Sequence, residues 1–241
     1  MKNIPHRLIV TTNRLSMKIN QRFIIPLFSI LLSFFLSPVS FAEPANLTLL
    51  KQKIQAYHDS GTYQKELSHV LSQANIFILH RSALNAHLLH PKKLAVVLDI
   101  DETCLSNYDK MVARQFGGPG KPWHDEALAA DAPAIKPMLS FYNGLLKHGI
   151  AVFFVTGRTD AEALATKKNL KAAGYHDWSG LYFKPNQYKM PSAIPFKSHT
   201  RALITQKGYT IIASIGDQKS DLKGGYAEKG YKLPNPYYYI P

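Results

Sequence analysis

Apolar residues three or four apart, Leu47, Leu50, Ile54 and Tyr57, predict an amphipathic helix over residues 44–58. Ser60-Gly61 interrupts it. A second helical pattern runs from near Thr62 to the mid-eighties through Leu67, Val70, Leu71, Ala74 and Ile78. After Pro91 the period changes. Leu94-Ala95-Val96-Val97-Leu98 is continuously apolar, as a parallel strand buried on both faces reads. Ile150–Val155, Gly180–Lys184 and Ile211–Ile215 are three more runs of strand length. Helical patterns lie between them. One passes through Met138, Phe141, Tyr142 and Leu145 and stops at Gly149; another passes through Ala161, Leu164, Ala165 and Leu170; a third opens at Phe196–Arg201 and ends near Gly208. This alternation predicts an α/β fold with a mostly parallel sheet and flanking helices, the two N-terminal helices (44–90) covering a face or edge of it.

Two stretches leave the pattern. Residues 104–132 contain the loop Gly117-Gly118-Pro119-Gly120-Lys121-Pro122-Trp123-His124, which suits a lid or one wall of a pocket, or equally a surface excursion pinned by Trp123. The tail Lys232-Leu233-Pro234-Asn235-Pro236-Tyr237-Tyr238-Tyr239-Ile240-Pro241 is expected to pack as an extended segment over a sheet edge.

Residues 1–42 stand apart from the core. Their charged residues are all basic, Lys2, Arg7, Arg14, Lys18 and Arg22; the apolar run Phe23–Leu36 follows, then Ser40-Phe41-Ala42. That order describes a signal peptide cleaved after Ala42, with Met17 as an alternative start. The rival, an uncleaved anchor, has a run shorter than the roughly 20 residues a span prefers, and Pro26 interrupts it. The expected location is therefore the periplasm or the exterior, with no stable membrane span after cleavage. Residues 43–241 are expected to form a single domain.

Removing the leader changes the charge argument. The chain carries 29 Lys+Arg and 16 Asp+Glu; without the five leader residues the net charge falls from +13 to +8. The basic residues are dispersed, which favours small anionic ligands and gives no reason to expect a nucleic-acid polymer. A homo-oligomer stays open. The one cysteine, Cys104, excludes an internal disulfide and reads as a buried packing residue, and the histidines His69, His80, His87 and His90 lack metal-ligand spacing.

The candidate chemistry sits where strands end. Asp99 and Asp101 follow the first strand, Thr156-Gly157-Arg158 the second, and Asp217 and Asp221 the fourth; Lys197 opens a helix. The pair of acids alone also fits an ordinary surface turn. In an open parallel sheet, however, the C-terminal strand edges share one crevice. Several carboxylates, a lysine, a hydroxyl and loop amides in one crevice suit phosphoryl transfer. A hard cation and a lysine cancel negative charge, a carboxylate attacks, and a second carboxylate moves the proton.

The motifs Asp-Ile-Asp-Glu-Thr, Val-Thr-Gly-Arg and Gly-Asp-Gln-Lys-Ser-Asp-Leu, with a lysine between the last two, resemble the haloacid dehalogenase (HAD) superfamily. With the tail Lys-Leu-Pro-Asn-Pro-Tyr-Tyr-Tyr they resemble its secreted acid phosphatases, the bacterial class C enzymes and plant vegetative storage proteins. The resemblance implies a HAD-like Rossmannoid sheet with a small cap. It implies a magnesium-dependent (Mg2+) acid phosphatase working on small phosphomonoesters through an aspartyl-phosphate. A selective 5'-nucleotidase or phosphotransferase, and a non-catalytic storage or envelope protein, are the alternatives. An exported basic binding module would rest on charge alone.

By position, Asp99 resembles the nucleophile and a metal ligand, and Asp101 the general acid/base, giving the metal its backbone carbonyl. Thr156 and Gly157 match the phosphate donors, Lys197 the charge-stabilising lysine, with Lys184 and Lys189 as rivals, and Asp217 the last metal ligand. Thr103, Asp221 and Arg158 are supporting residues, Thr103 buttressing the first loop and Arg158 pairing with Asp221 or lying behind the site. Tyr108, Phe116 and Trp123 are candidates for the substrate entrance.

Overall fold

The structure, a computed structural model, describes residues 43–117 and 121–240. The expected leader and the loop tip at 118–120 lie outside the described residues.

Five parallel strands form the sheet: β1 (Lys93–Leu98), β2 (Ala151–Thr159), β3 (Gly180–Lys184), β4 (Tyr209–Gly216) and β5 (Lys229–Lys232), in the order β3-β2-β1-β4-β5. Alternation along β1 divides the core. Leu94, Val96 and Leu98 join the larger apolar cluster, while Ala95 and Val97 join a smaller one with Phe153, Val155, Ile204 and Ile211.

The helices close both faces. α1 (Leu47–Asp59) starts at Asn46, whose side chain accepts the Thr48 and Leu49 amides. Gly61, at φ +79°, turns the chain into α2 (Thr62–Ala86), which buries Tyr63, Leu67, Leu71, Ala74 and Ile78 in the larger cluster. α3 (Tyr108–Ala113) and α4 (Lys121–Ala129) occupy the stretch that leaves the strand–helix pattern. α5 (Lys136–Lys147), α6 (Ala163–Ala172) and α7 (Ile194–Gln206) complete the crossovers.

The chain proceeds outward from β1 to β2 and β3, then returns to β4 on the other side of β1. The β1/β4 boundary is therefore the switch point, where the ends of neighbouring strands diverge into a crevice. Two features differ from the sequence expectation. A fifth strand exists, hidden because only Tyr231 of its four residues is buried. The tail does not cover a sheet edge. Leu233 N–H donates to Gly216 O, Asn235 reaches Asp217 and Tyr238 reaches Glu102, so the tail crosses the C-terminal ends of β4 and β1. Hydrogen-bonding groups left open beyond the strand ends provide its footing.

Candidate active site

The crevice is a cavity of about 500 Å³ whose wall includes Asp99, Asp101, Glu102, Gly157, Lys197 and Asp217. Asp99 leaves the tip of β1 with its amide bonded to Ile215 O at 3.0 Å, which fixes it beside β4. Lys197 projects from the first turn of α7 and donates to Asp99 Oδ1 at 2.7 Å and to Asp221 Oδ1. All three side chains are buried. Burial by itself would lower the Lys197 pKa, but the charges of Asp221 and Asp99 outweigh it and hold the ammonium above its ordinary value. Burial raises the Asp99 carboxyl well above its usual range; Lys197 opposes this, while Asp221, Asp217 and Asp101 add to it. Lys184 also lies on the cavity wall, whereas Lys189 is exposed, so Lys197 is the lysine set against the acids.

Asp221 comes from a one-turn 3-10 helix, Lys219–Asp221, directly after β4. Its Oδ2 accepts the Gln218 amide at 2.8 Å, and its carbonyl accepts from Ser214 Oγ and from the buried Arg201 guanidinium. Gly216 makes this possible, because a Cβ there would lie 2.2 Å from Asp221 Oδ2. One oxygen from each of Asp99, Asp217 and Asp221 fits within a 4.8 Å span.

Asp217 differs from its two neighbours. Its hydrogen bonds come from neutral groups: Thr103 Oγ1 to Oδ1 at 3.3 Å, and Gln218 Nε2 and Asn235 Nδ2 to Oδ2, each at 2.5 Å. No ion pair among the described residues involves it. Burial, then the charge of Asp221, push its carboxyl up to about 7. A buried carboxylate without a cation, beside two others, is a donor set of hard oxygens suited to a divalent cation. The side chains in this cluster are Asp99, Asp217 and Asp221, not the Asp101 carboxylate.

Asp101 is occupied elsewhere. Arg158 grips it from Nε at 3.0 Å and Nη2 at 2.7 Å, and Asn107 Nδ2 donates to its Oδ1 at 2.9 Å. Burial acts to raise the Asp101 carboxyl, but Arg158 and Asn107 prevail and hold it below the ordinary range. The Asp221–Arg158 pair expected from sequence is not formed. Lys197 takes Asp221, and Arg158, leaving the end of β2 on the other side of β1, meets Asp101 instead.

Thr103 hydroxyl touches both Asp99 Oδ2 at 3.4 Å and Asp217 Oδ1. Thr156 is fully buried and its oxygen accepts the Arg158 amide at 3.1 Å, leaving its own proton to donate; Gly157 is on the cavity wall beside it. Cys104 is buried, and its thiol donates to Asp99 O at 3.1 Å. Of the entrance aromatics, only Trp123 lines the cavity, edge-on to Tyr238 at 4.6 Å. Tyr108 and Phe116 instead pack with Tyr237 in the larger core, because the tail brings Tyr237 between them.

Sequence reasoning missed Glu102 and the contact of the tail with the site. Glu102 is 2% exposed with φ +54°, and its carboxyl is pushed up to about 8 by burial and by Asp101, against hydrogen bonds from Asn107 and Tyr238. A third acid inside Asp-Ile-Asp-Glu-Thr was the only available signal. His124 Nδ1 meets Glu162 Oε1 at 3.1 Å, tying α4 to the turn after β2.

Comparison with known proteins gives the family and the fold. The family profile described as HAD superfamily, subfamily IIIB (Acid phosphatase) matches residues 42–241. The stem 28 kDa glycoprotein of Glycine max is 39% identical over 158 residues, 63% of this chain and 62% of that protein. Acid phosphatase 1 of Solanum lycopersicum is 34% identical over 151 residues, 60% of this chain and 58% of that protein. The chain thus spans about three fifths of the length of these relatives. The structure of the class C acid phosphatase from Bacillus anthracis superposes with a TM-score of 0.63 at 22% identity, covering 79% of this chain and 86% of that one, a likeness of fold.

Proposed function

This chain belongs to the HAD superfamily, subfamily IIIB acid phosphatase family, and we propose that it is a magnesium-dependent acid phosphatase that hydrolyses small phosphomonoesters through a phosphorylated Asp99. The observation that carries this reading is the placement of Asp99 on the cavity wall, 2.7 Å from a buried lysine and beside the uncompensated Asp217.

Bound among Asp99, Asp217 and Asp221, magnesium would supply positive charge against the phosphate dianion. Lys197 supplies charge of the same sign from α7, and the Gly157 amide on the cavity wall would donate to a phosphate oxygen, with the Thr156 hydroxyl buried just behind it as the second candidate donor. A carboxylate oxygen of Asp99 forms a bond to phosphorus as the ester P–O bond breaks, and the departing oxygen takes the proton of Asp101. Ionised again, Asp101 takes a proton from the water that attacks the phosphorylated Asp99, releasing phosphate and restoring the carboxylate. Arg158 fixes Asp101 in place and favours its ionised form, so the protonated donor is most abundant in acid. Lys197 and bound magnesium would hold Asp99 ionised there, against the burial that otherwise raises its carboxyl, and together these support an acidic preference.

The cavity suits a small ester, and no polymer of nucleic acid is expected there. No helix among the described residues is long and apolar enough to cross a membrane. A periplasmic or secreted location follows from the leader pattern, and N-terminal sequencing of the exported protein tests it.

The deciding assay is hydrolysis of p-nitrophenyl phosphate from about pH 4 to 9, with EDTA or added magnesium. Turnover should require magnesium and vanish in Asp99→Asn. Equal turnover in that variant, or full turnover after complete metal removal, would overturn the mechanism. A folded parent inactive on every phosphomonoester, nucleoside monophosphates included, would favour a storage role.

A further inference from the structure

We propose that Asn235, in the C-terminal tail, is a positioning residue for the metal ligand Asp217, so that the tail forms part of the cation site. The inference rests on the metal reading above. Asn235 Nδ2 donates to Asp217 Oδ2 at 2.5 Å, and Gln218 Nε2 donates to the same oxygen at 2.5 Å. Two amide donors saturate that oxygen. The remaining one, Oδ1, faces the Thr103 hydroxyl, which also touches Asp99, so Oδ1 is the oxygen left on the side of the carboxylate cluster. Asp217 is thereby held to offer one defined oxygen. A free carboxylate would rotate, or would present both oxygens.

The orientation of the Asn235 amide is set by its own surroundings. Its Oδ1 accepts the backbone amides of Tyr237 at 2.8 Å and Tyr238 at 3.4 Å, which leaves Nδ2 to face Asp217. Pro234 fixes the φ angle just before Asn235, and Pro236 restricts the backbone of Asn235 itself. Leu233, fully buried, is bonded through its amide to Gly216 O at 2.9 Å, so the tail is anchored within two residues on one side. On the other side, Ile240 N–H donates to Gln218 Oε1 at 3.1 Å, so the second amide bonded to Asp217 is itself held by the tail. Both donors on Asp217 Oδ2 thus depend on residues 233–240. Partners behind a metal ligand fix its orientation, and their loss costs about 10–100-fold in affinity.

The test is magnesium binding by calorimetry to metal-stripped parent, Asn235→Ser and Tyr238→Phe. A serine hydroxyl can still accept the Tyr237 amide but is too short to reach Asp217. The phenylalanine removes the tail's separate hydrogen bond to Glu102 (2.9 Å) and leaves Asp217 untouched. Asn235→Ser is expected to weaken Kd by about 10–100-fold, with Tyr238→Phe within about threefold of the parent. Asn235→Ser within about threefold of the parent overturns the proposal, and so does equal weakening in both variants, which would assign the effect to general loosening of the tail. A parent that binds no magnesium refutes the metal reading itself, and this role with it. Should Asn235→Ser fail to fold, the Asn235 side-chain amide protons of the parent decide. Slow solvent exchange and a resonance shift on adding magnesium support the role; fast exchange with no shift overturns it.

Discussion

Replacing Asp217 by Asn should stabilise the metal-free protein, by an amount that depends on pH. In the unfolded chain this carboxyl titrates at the ordinary value of 3.8; in the fold, burial and the charges of Asp221 and Glu102 push it up to about 7. Between those values the folded chain keeps a proton that the unfolded chain has lost. Stability therefore falls as pH rises through this window, and the full cost is present above about pH 7. A carboxyl displaced that far costs the fold about 4 kcal/mol at most, and Asp99 and Asp221 share part of it, so a gain of about 1–3 kcal/mol is expected from removing the charge. Asn keeps the shape. Its carbonyl can accept from Gln218 and Asn235, and its amide can face the Thr103 hydroxyl. For a domain of this size that is a rise of about 3–10 °C in Tm. Thermal melts in EDTA at about pH 8 should show the gain, and melts near pH 4.5 should show little of it. Magnesium should raise the Tm of the parent but not of the variant, since only the parent binds it well. No gain at the higher pH, or equal gains at both, would refute the electrostatic account of Asp217.

Three further outcomes follow from named contacts. Arg158→Gln removes the charge that holds the Asp101 carboxyl down, so the alkaline limb of the pH–rate profile should move to higher pH while kcat falls about tenfold; an unmoved limb contradicts Asp101 as the donor held by Arg158. Gly216→Ala places a Cβ 2.2 Å from Asp221 Oδ2; displacement of Asp221 and Lys197 should cost about 1–3 kcal/mol in urea melts and at least about 100-fold in turnover. Arg81→Ala breaks the paired hydrogen bonds to Glu228 at 2.7 Å, between α2 and the approach to β5. Glu228 is held below its ordinary value by that partner, so its contribution is present above the unfolded value near 4.5 and lost as pH falls through the lower folded one. Because the pair is partly exposed and screened, the loss in urea melts should be about 0.5–1 kcal/mol at pH 7 and nearly nil at pH 3.

The sheet was largely legible because burial on both faces leaves a mark in one strand at a time. Leu94–Leu98 is apolar at every position and Ile211–Ile215 at all but Ser214, and both are strands. β5 left no such mark, since one side chain, Tyr231, is all it buries. Asp99, Lys197, Asp217 and Asp221 were legible as motif residues, and the structure gathers them. Arg158 was legible as a site residue, but its partner was not. Ion-pair choice depends on which side of β1 each strand end emerges, and spacing along the chain carries no such information.

By itself the sequence determined the alternation of elements, the acids at the strand ends and the family, because period, turn residues and motif order are local properties of the chain. Tertiary structure alone decided the division of labour among the acids. Lys197 pairs with Asp99 and Asp221, Arg158 claims Asp101, and Asp217 is left without an ion pair among the described residues, in a carboxylate cluster that could hold a cation. It also decided that the tail of prolines and tyrosines, legible in sequence as a motif but not in its placement, comes back across the strand ends, where Asn235 donates to Asp217. Charges buried in one crevice partition by distances that differ by a few ångströms, and those distances exist only once β1, β2 and β4 lie side by side.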